Sequence, residues 1–113
     1  MTKINEVVGI QFVKGTNEKK YPEIRLFRTL DGKRGQAIYR FSRPTTITIE
    51  NFNAIKKMYL IDEEGELSTR EIDLSISNNN ITEVKSTYNW NSEIEFKRFM
   101  RFAKRYANSF NKS

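Results

Sequence analysis

FKRFMRFAKRYA, from Phe96 to Ala107, is the stretch from which the fold is read. At about 100° per residue, Phe96, Phe99, Met100, Ala103, Tyr106, Ala107 and Phe110 fall within one arc of a helix. Lys97, Arg98, Arg101, Lys104 and Arg105 fall on the opposite arc. Ser92 as N-cap with Glu95 three residues on makes a capping box, and Glu93 and Glu95 sit at the positive end of the helix dipole. A lone helix of this kind would expose too many rings to water. The sequence therefore predicts α+β: an antiparallel sheet of four to six strands, with this C-terminal amphipathic helix packed across one face.

Upstream, MYLIDEEGELSTREI (Met58–Ile72) reads as strand, acidic turn, strand. Met58 to Asp62 and Ser68 to Ser77 flank the turn, and Ile72, Leu74 and Ile76 alternate with Glu71, Asp73, Ser75 and Ser77 as on a half-wet strand. Asn78-Asn79-Asn80 is a further turn, because asparagine tolerates positive φ. Ile81 to Tyr88 is a returning strand. Nearer the start, Val8, Ile10 and Phe12 alternate within a strand from Glu6 to Lys14. Ile24 to Thr29 and Gln36 to Phe41 flank Asp31-Gly32, a hairpin signal. Thr46 to Ile55 is mixed in character and is taken as a short helix or irregular segment.

The 113 residues fit one domain spanning 1–113, long enough for a core without staples. Eight Phe, five Tyr and one Trp supply that core, so disorder is not expected. No run approaches the roughly 18 apolar residues of a bilayer span, and the opening MTKINEVVG resembles neither a secretory signal nor a transit peptide. The chain has no cysteine and no histidine, which removes thiol nucleophiles, disulfides and Cys/His zinc sites. A formal charge of +6 makes an acidic partner plausible without choosing among lipid, nucleic acid and protein.

Each constellation has a plain reading beside its functional one. Asp62, Glu63, Glu64 and Glu66 are too contiguous for a calcium loop, and a hairpin tip lacks the cleft that general acid–base chemistry needs. A solvated turn is expected. Arg25, Arg28, Lys33, Arg34, Arg40 and Arg43, interleaved with Phe27, Tyr39 and Phe41, resemble a basic-aromatic surface for single-stranded nucleic acid. Alternation, however, puts Tyr39 and Phe41 on one face and Arg40 on the other. Trp90, next to the helix start, is expected in the core. Asn80-Ile81-Thr82 is a chance sequon, and no motif marks a small-molecule pocket. No cofactor or metal is expected, and the chain is read as a non-enzyme.

Taken together, FVKG (Phe12–Gly15), PEIRLFR (Pro22–Arg28), Met58–Ile72 and Phe96–Ala107 resemble the Psb28 family of photosystem II assembly proteins, over about Gln11 to Ala107. TTITIENFNA (Thr45–Ala54) and the short polar tail after Ala107 depart from the family pattern. The resemblance implies a transient assembly or repair factor on the stromal or cytoplasmic face of incomplete photosystem II. Its partners there would be the reaction-centre polypeptides and the larger inner chlorophyll antenna protein. It implies peripheral thylakoid association in a plastid or cyanobacterium, and admits a weak homodimer. On this reading Lys97, Arg98, Arg101, Lys104 and Arg105 form the partner-binding face, and the free edge of the sheet lends itself to strand addition. The rival is a basic nucleic-acid-binding module, although nucleic acid is not the expected partner.

Overall fold

The sharpest local instructions in the chain are its turns. In the computed structural model, which describes residues 8–111, Asp31-Gly32 closes a hairpin between β2 (Glu23–Arg28) and β3 (Gly35–Ser42). Gly32 takes φ +76°, and the Asp31 carboxylate accepts from Thr29 Oγ1 at 2.6 Å and the Lys33 amide at 2.9 Å. Asn78 and Asn79 both adopt positive φ, 52° and 65°, and join β6 (Ile72–Ser77) to β7 (Asn80–Trp90). The remaining strands are β1 (Gly9–Gln11), β4 (Met58–Asp62) and β5 (Gly65–Thr69), and the chain closes with α1 (Glu93–Asn111). The part of the expected first strand before Val8 lies outside the described residues. Within them the strand is shorter than expected, because Val13 turns back to bridge Thr16.

The fold is α+β with antiparallel pairing throughout, as the sequence predicts, but the strands divide between two sheets. One runs β1-β4-β5 and the other β2-β3-β7-β6. The division occurs inside the stretch expected as a single strand from Ser68 to Ser77. Leu67 and Thr69 are half-buried at odd positions, whereas Ile72 and Leu74 are half-buried at even ones. Since strand side chains alternate strictly, keeping all four toward the core requires a break of phase. Arg70 and Glu71 supply it. There the chain leaves the first sheet and enters the second, and the Glu71 carbonyl accepts from the Thr87 amide (3.1 Å) and Ser86 Oγ (2.9 Å).

Both sheets and the helix contribute to a common core. It holds Ile10, Met58 and Leu60 from the smaller sheet, Ala37, Tyr39, Phe41, Val84 and Trp90 from the larger, and Phe99, Phe102 and Tyr106 from α1. Trp90 lies within 5.2 Å of Phe96 and Phe99, ring to ring, and is buried as expected. Gly35 makes room for it: a Cβ there would strike the Phe27 carbonyl and lie 2.6 Å from Trp90 Cζ2.

The Thr46–Ile55 segment is irregular apart from a 3-10 turn at Phe52–Ala54. Glu18 holds its start in place. This carboxylate is buried and accepts from the amides of Thr45 and Thr46 and from both their hydroxyls, at 2.7 to 3.0 Å. Burial pushes its pKa up, but those bonds and the Lys20 amide outweigh burial and hold it below the usual value.

Candidate functional site

Helix α1 starts where its capping residues direct. The Glu95 amide donates to Ser92 Oγ at 3.1 Å, while the Glu95 carboxylate accepts from the Asn91 amide at 2.7 Å. The buried face is not the one that counting from Phe96 suggests. Phe99, Phe102 and Tyr106 are fully buried, and Phe96, Met100 and Ala103 only half so. The buried arc is therefore centred roughly 60° further round, toward Phe102. The cause is the second sheet, because α1 lies against β4 as well as β7. Arg98 and Arg105 consequently sit at the rim of the core and not opposite it.

What they meet there is the acidic turn. Arg98 grips the Asp62 carboxylate with two parallel bonds, of 2.8 and 3.0 Å. Arg105 reaches Asp62 at 2.9 Å and Glu64 at 2.7 Å, and lies 3.5 Å from Glu63. Arg101 holds Glu64 with a second bidentate pair, at 2.7 and 2.9 Å. The Asp62 side chain is fully shielded from solvent and Arg98 is only 17% exposed. Burial alone would raise the Asp62 pKa; the Arg98 and Arg105 hydrogen bonds and the Glu64 amide reverse this and hold it low. Arg101 and Arg105 bring Glu64 down to about 2.

Two expectations are corrected by this geometry. The turn at Asp62–Glu64 is not a free solvated tip but a receptor for the helix. The basic helix face is not uniformly outward either: Arg98 and Arg105 are largely covered on the turn's carboxylates, and half-exposed Arg101 is paired with Glu64. Lys97 faces solvent and lies 3.8 Å from Glu93, and exposed Lys104 makes no ion pair among the described residues. With three arginines on them, Asp62 and Glu64 are occupied by protein, and no group of acids among the described residues is arranged to hold a metal ion.

The strand cluster resolves as alternation suggests. Tyr39 and Phe41 are wholly buried, and Arg40 faces out, paired with Glu83 at 3.1 Å. Of the three rings only Phe27 is exposed, on the outer face with Arg25 and Arg40, so this face offers one ring and not a row of them for stacking bases.

The larger sheet ends in β2, whose outer edge has no strand beside it among the described residues. The Thr29 amide donates to the Arg34 carbonyl at 2.9 Å. By antiparallel alternation the bonded pairs fall at Phe27, Arg25 and Glu23, so the main-chain groups of Ile24, Leu26 and Arg28 point outward from the sheet. Beside this edge Tyr21 stacks on Tyr106 and meets Phe110 edge-on at 5.0 Å, leaving Tyr21, Leu26 and Phe110 each 40 to 49% exposed. A bare strand edge thus lies beside exposed apolar side chains. The sequence points to a free edge without locating it.

The Psb28 family, described as Psb28 protein, matches residues 10–111. The chain belongs to the Psb28 family. It is 66% identical over 113 residues, the whole of both chains, to the photosystem II reaction center Psb28 proteins of Prochlorococcus marinus strains NATL2A and NATL1A. To that of Synechococcus sp. strain CC9605 it is 46% identical over 101 residues, 89% of this chain and 80% of the relative. The Psb28 match spans the arginine-bound turn, the edge strand β2 and the whole of α1. No helix among the described residues is long and apolar enough to cross a membrane.

Proposed function

We propose that this Psb28-family chain is a non-enzymatic assembly and repair factor. It binds transiently to the stromal or cytoplasmic face of photosystem II intermediates, as one domain over residues 1–113. The observation that carries this reading is the family match over residues 10–111, supported by full-length identity to proteins named for the photosystem II reaction center. The chain associates with the thylakoid membrane peripherally. Its partners are extended loops or tails of the reaction-centre polypeptides and the larger inner chlorophyll antenna protein.

The mode of binding is strand addition at β2. A partner segment takes up the outward main-chain groups of Ile24, Leu26 and Arg28 and places alternate apolar side chains against Leu26, Tyr21 and Phe110. Lys97 and Lys104 remain as the outward cations of the predicted helix face. Arg98, Arg101 and Arg105 act indirectly, by seating the helix that carries Phe110. Co-purification from solubilised thylakoids tests the reading. The chain should travel with incomplete photosystem II and be absent from the mature complex; recovery with neither would refute it.

A further inference from the structure

Among the described residues, the seven exposed large hydrophobic side chains are not spread evenly. Leu30 is fully exposed at 107%, Ile94 is 80% exposed and Phe27 51%, the three highest values among them. All three lie at one end of the larger sheet. Pairing places Arg28 opposite Gly35 and Gly35 opposite Trp90, so the Thr29–Arg34 turn projects where β7 hands over to α1. The Arg28 guanidinium, 3.9 Å above the Phe96 ring, ties that turn to the first turns of the helix.

Leu30 is not there for want of order. Its turn is braced by the Asp31 carboxylate, by the Gly32 amide on the Thr29 carbonyl (2.9 Å), and by Arg28 Nη2 on the Gly32 carbonyl (3.0 Å). A single exposed leucine is ordinary on a protein surface; what marks this one is that Ile94 and Phe27, the next most exposed, lie at the same end. Around it Arg28, Lys33 and Arg34 form no ion pair among the described residues, against the single acid Asp31 within the turn. Three further acids lie at this end, and all are engaged: Glu93 beside Lys97, Glu95 on the Asn91 amide and Glu71 on the Asn89 side chain. An apolar projection ringed by cations matches the boundary of an anionic bilayer, with acyl chains for the leucine and head-group charges for the lysine and arginines.

We propose that the β2–β3 turn, with Leu30 at its apex, is a contact with an anionic lipid surface, assisted by Phe27 and Ile94. It would orient the molecule end-on to the bilayer and leave the β2 edge facing sideways. This inference goes beyond the strand-addition reading and does not depend on it, since protein-free vesicles offer no strand to add.

The absence of cysteine allows a direct test. An environment-sensitive fluorophore on Leu30→Cys should brighten and shift to the blue with phosphatidylcholine vesicles containing phosphatidylglycerol, and not with phosphatidylcholine alone. The same label on Asn79→Cys, in the turn at the opposite end of β7, should stay unchanged. Reversing Lys33 and Arg34 to Glu should lower vesicle partition at least about 25-fold, since each near-surface cation is worth about fivefold. Leu30→Ser should lower it about fivefold while leaving the circular dichroism spectrum intact. A silent label at 30, an equal response at 79, or variants that partition like the parent would overturn the proposal. So would Leu30→Ser that releases the chain from detergent-solubilised precomplexes without altering vesicle binding, which would make the turn a protein contact.

Discussion

Asp62 closes β4 with its carboxylate out of reach of water and two guanidinium groups on it. Removing the charge from one side of such a pairing strands the other. Asp62→Asn should therefore destabilise the protein by about 3 kcal/mol, measured by urea unfolding at neutral pH. Gly35→Ala tests packing at the same scale. Its Cβ would collide with backbone at Phe27 and with the Trp90 ring, and the expected cost is about 2 kcal/mol. Neither role is legible in the sequence. DEEG reads as a wet turn because the partners of Asp62 lie 36 and 43 residues away, and no local pattern announces that pairing. Glu18 was silent for a related reason, since its partners at Thr45 and Thr46 sit 27 and 28 residues on.

Among the elements, α1 was the most readable and still carried a misdirection. Its existence, its start at Ser92 and its burial of Phe99 and Tyr106 follow from spacing and capping. Ser92→Ala should cost about 1 kcal/mol of stability, seen as a lowered urea midpoint. Periodicity assigns a stripe but cannot show that a second sheet wraps its flank, so it omits Phe102 and places Arg98 and Arg105 outward. A pair of multiple variants separates the two kinds of cation. Arg98, Arg101 and Arg105 changed together to Gln should sharply reduce stability, whereas Lys97 and Lys104 changed to Gln should leave it within about 0.5 kcal/mol. The stretch Ser68–Ser77 misleads in the same way: the phase slip between Thr69 and Ile72 is in the sequence, but no glycine, proline or asparagine marks it. For β2, Leu26→Pro removes an outward amide while sparing the pairs with β3. It should abolish co-purification with photosystem II intermediates if the partner adds as a strand, with Leu26→Val as the control that retains binding.

Across the whole molecule, Asp62, Glu64 and Glu18 all titrate below their ordinary values, and stability must follow them. A carboxylate whose pKa is lower when folded binds its proton more readily in the unfolded chain. Its contribution is complete above the ordinary carboxylate range and drains away as pH falls through the folded value. Urea midpoints should hold level from neutral pH down to the ordinary 4.5 of Glu64 and then fall toward about 2. Arg101→Gln with Arg105→Gln should start lower and fall less steeply over that window. A midpoint indifferent to acid would mean that the turn and the helix part without consequence.

The crossing at Arg70–Glu71 also gives the molecule an internal gauge. The Thr87 amide, bonded to the Glu71 carbonyl, belongs to the central strand of one sheet and reports on the chain as it leaves the other. In deuterated water this single proton should be among the slowest to exchange, with a rate set by complete unfolding, because neither layer can open there without the other. Tension applied to β2 by a captured segment would pass through β3 and β7 to the same spot. Slower exchange at Thr87 on capture would then record the load from within.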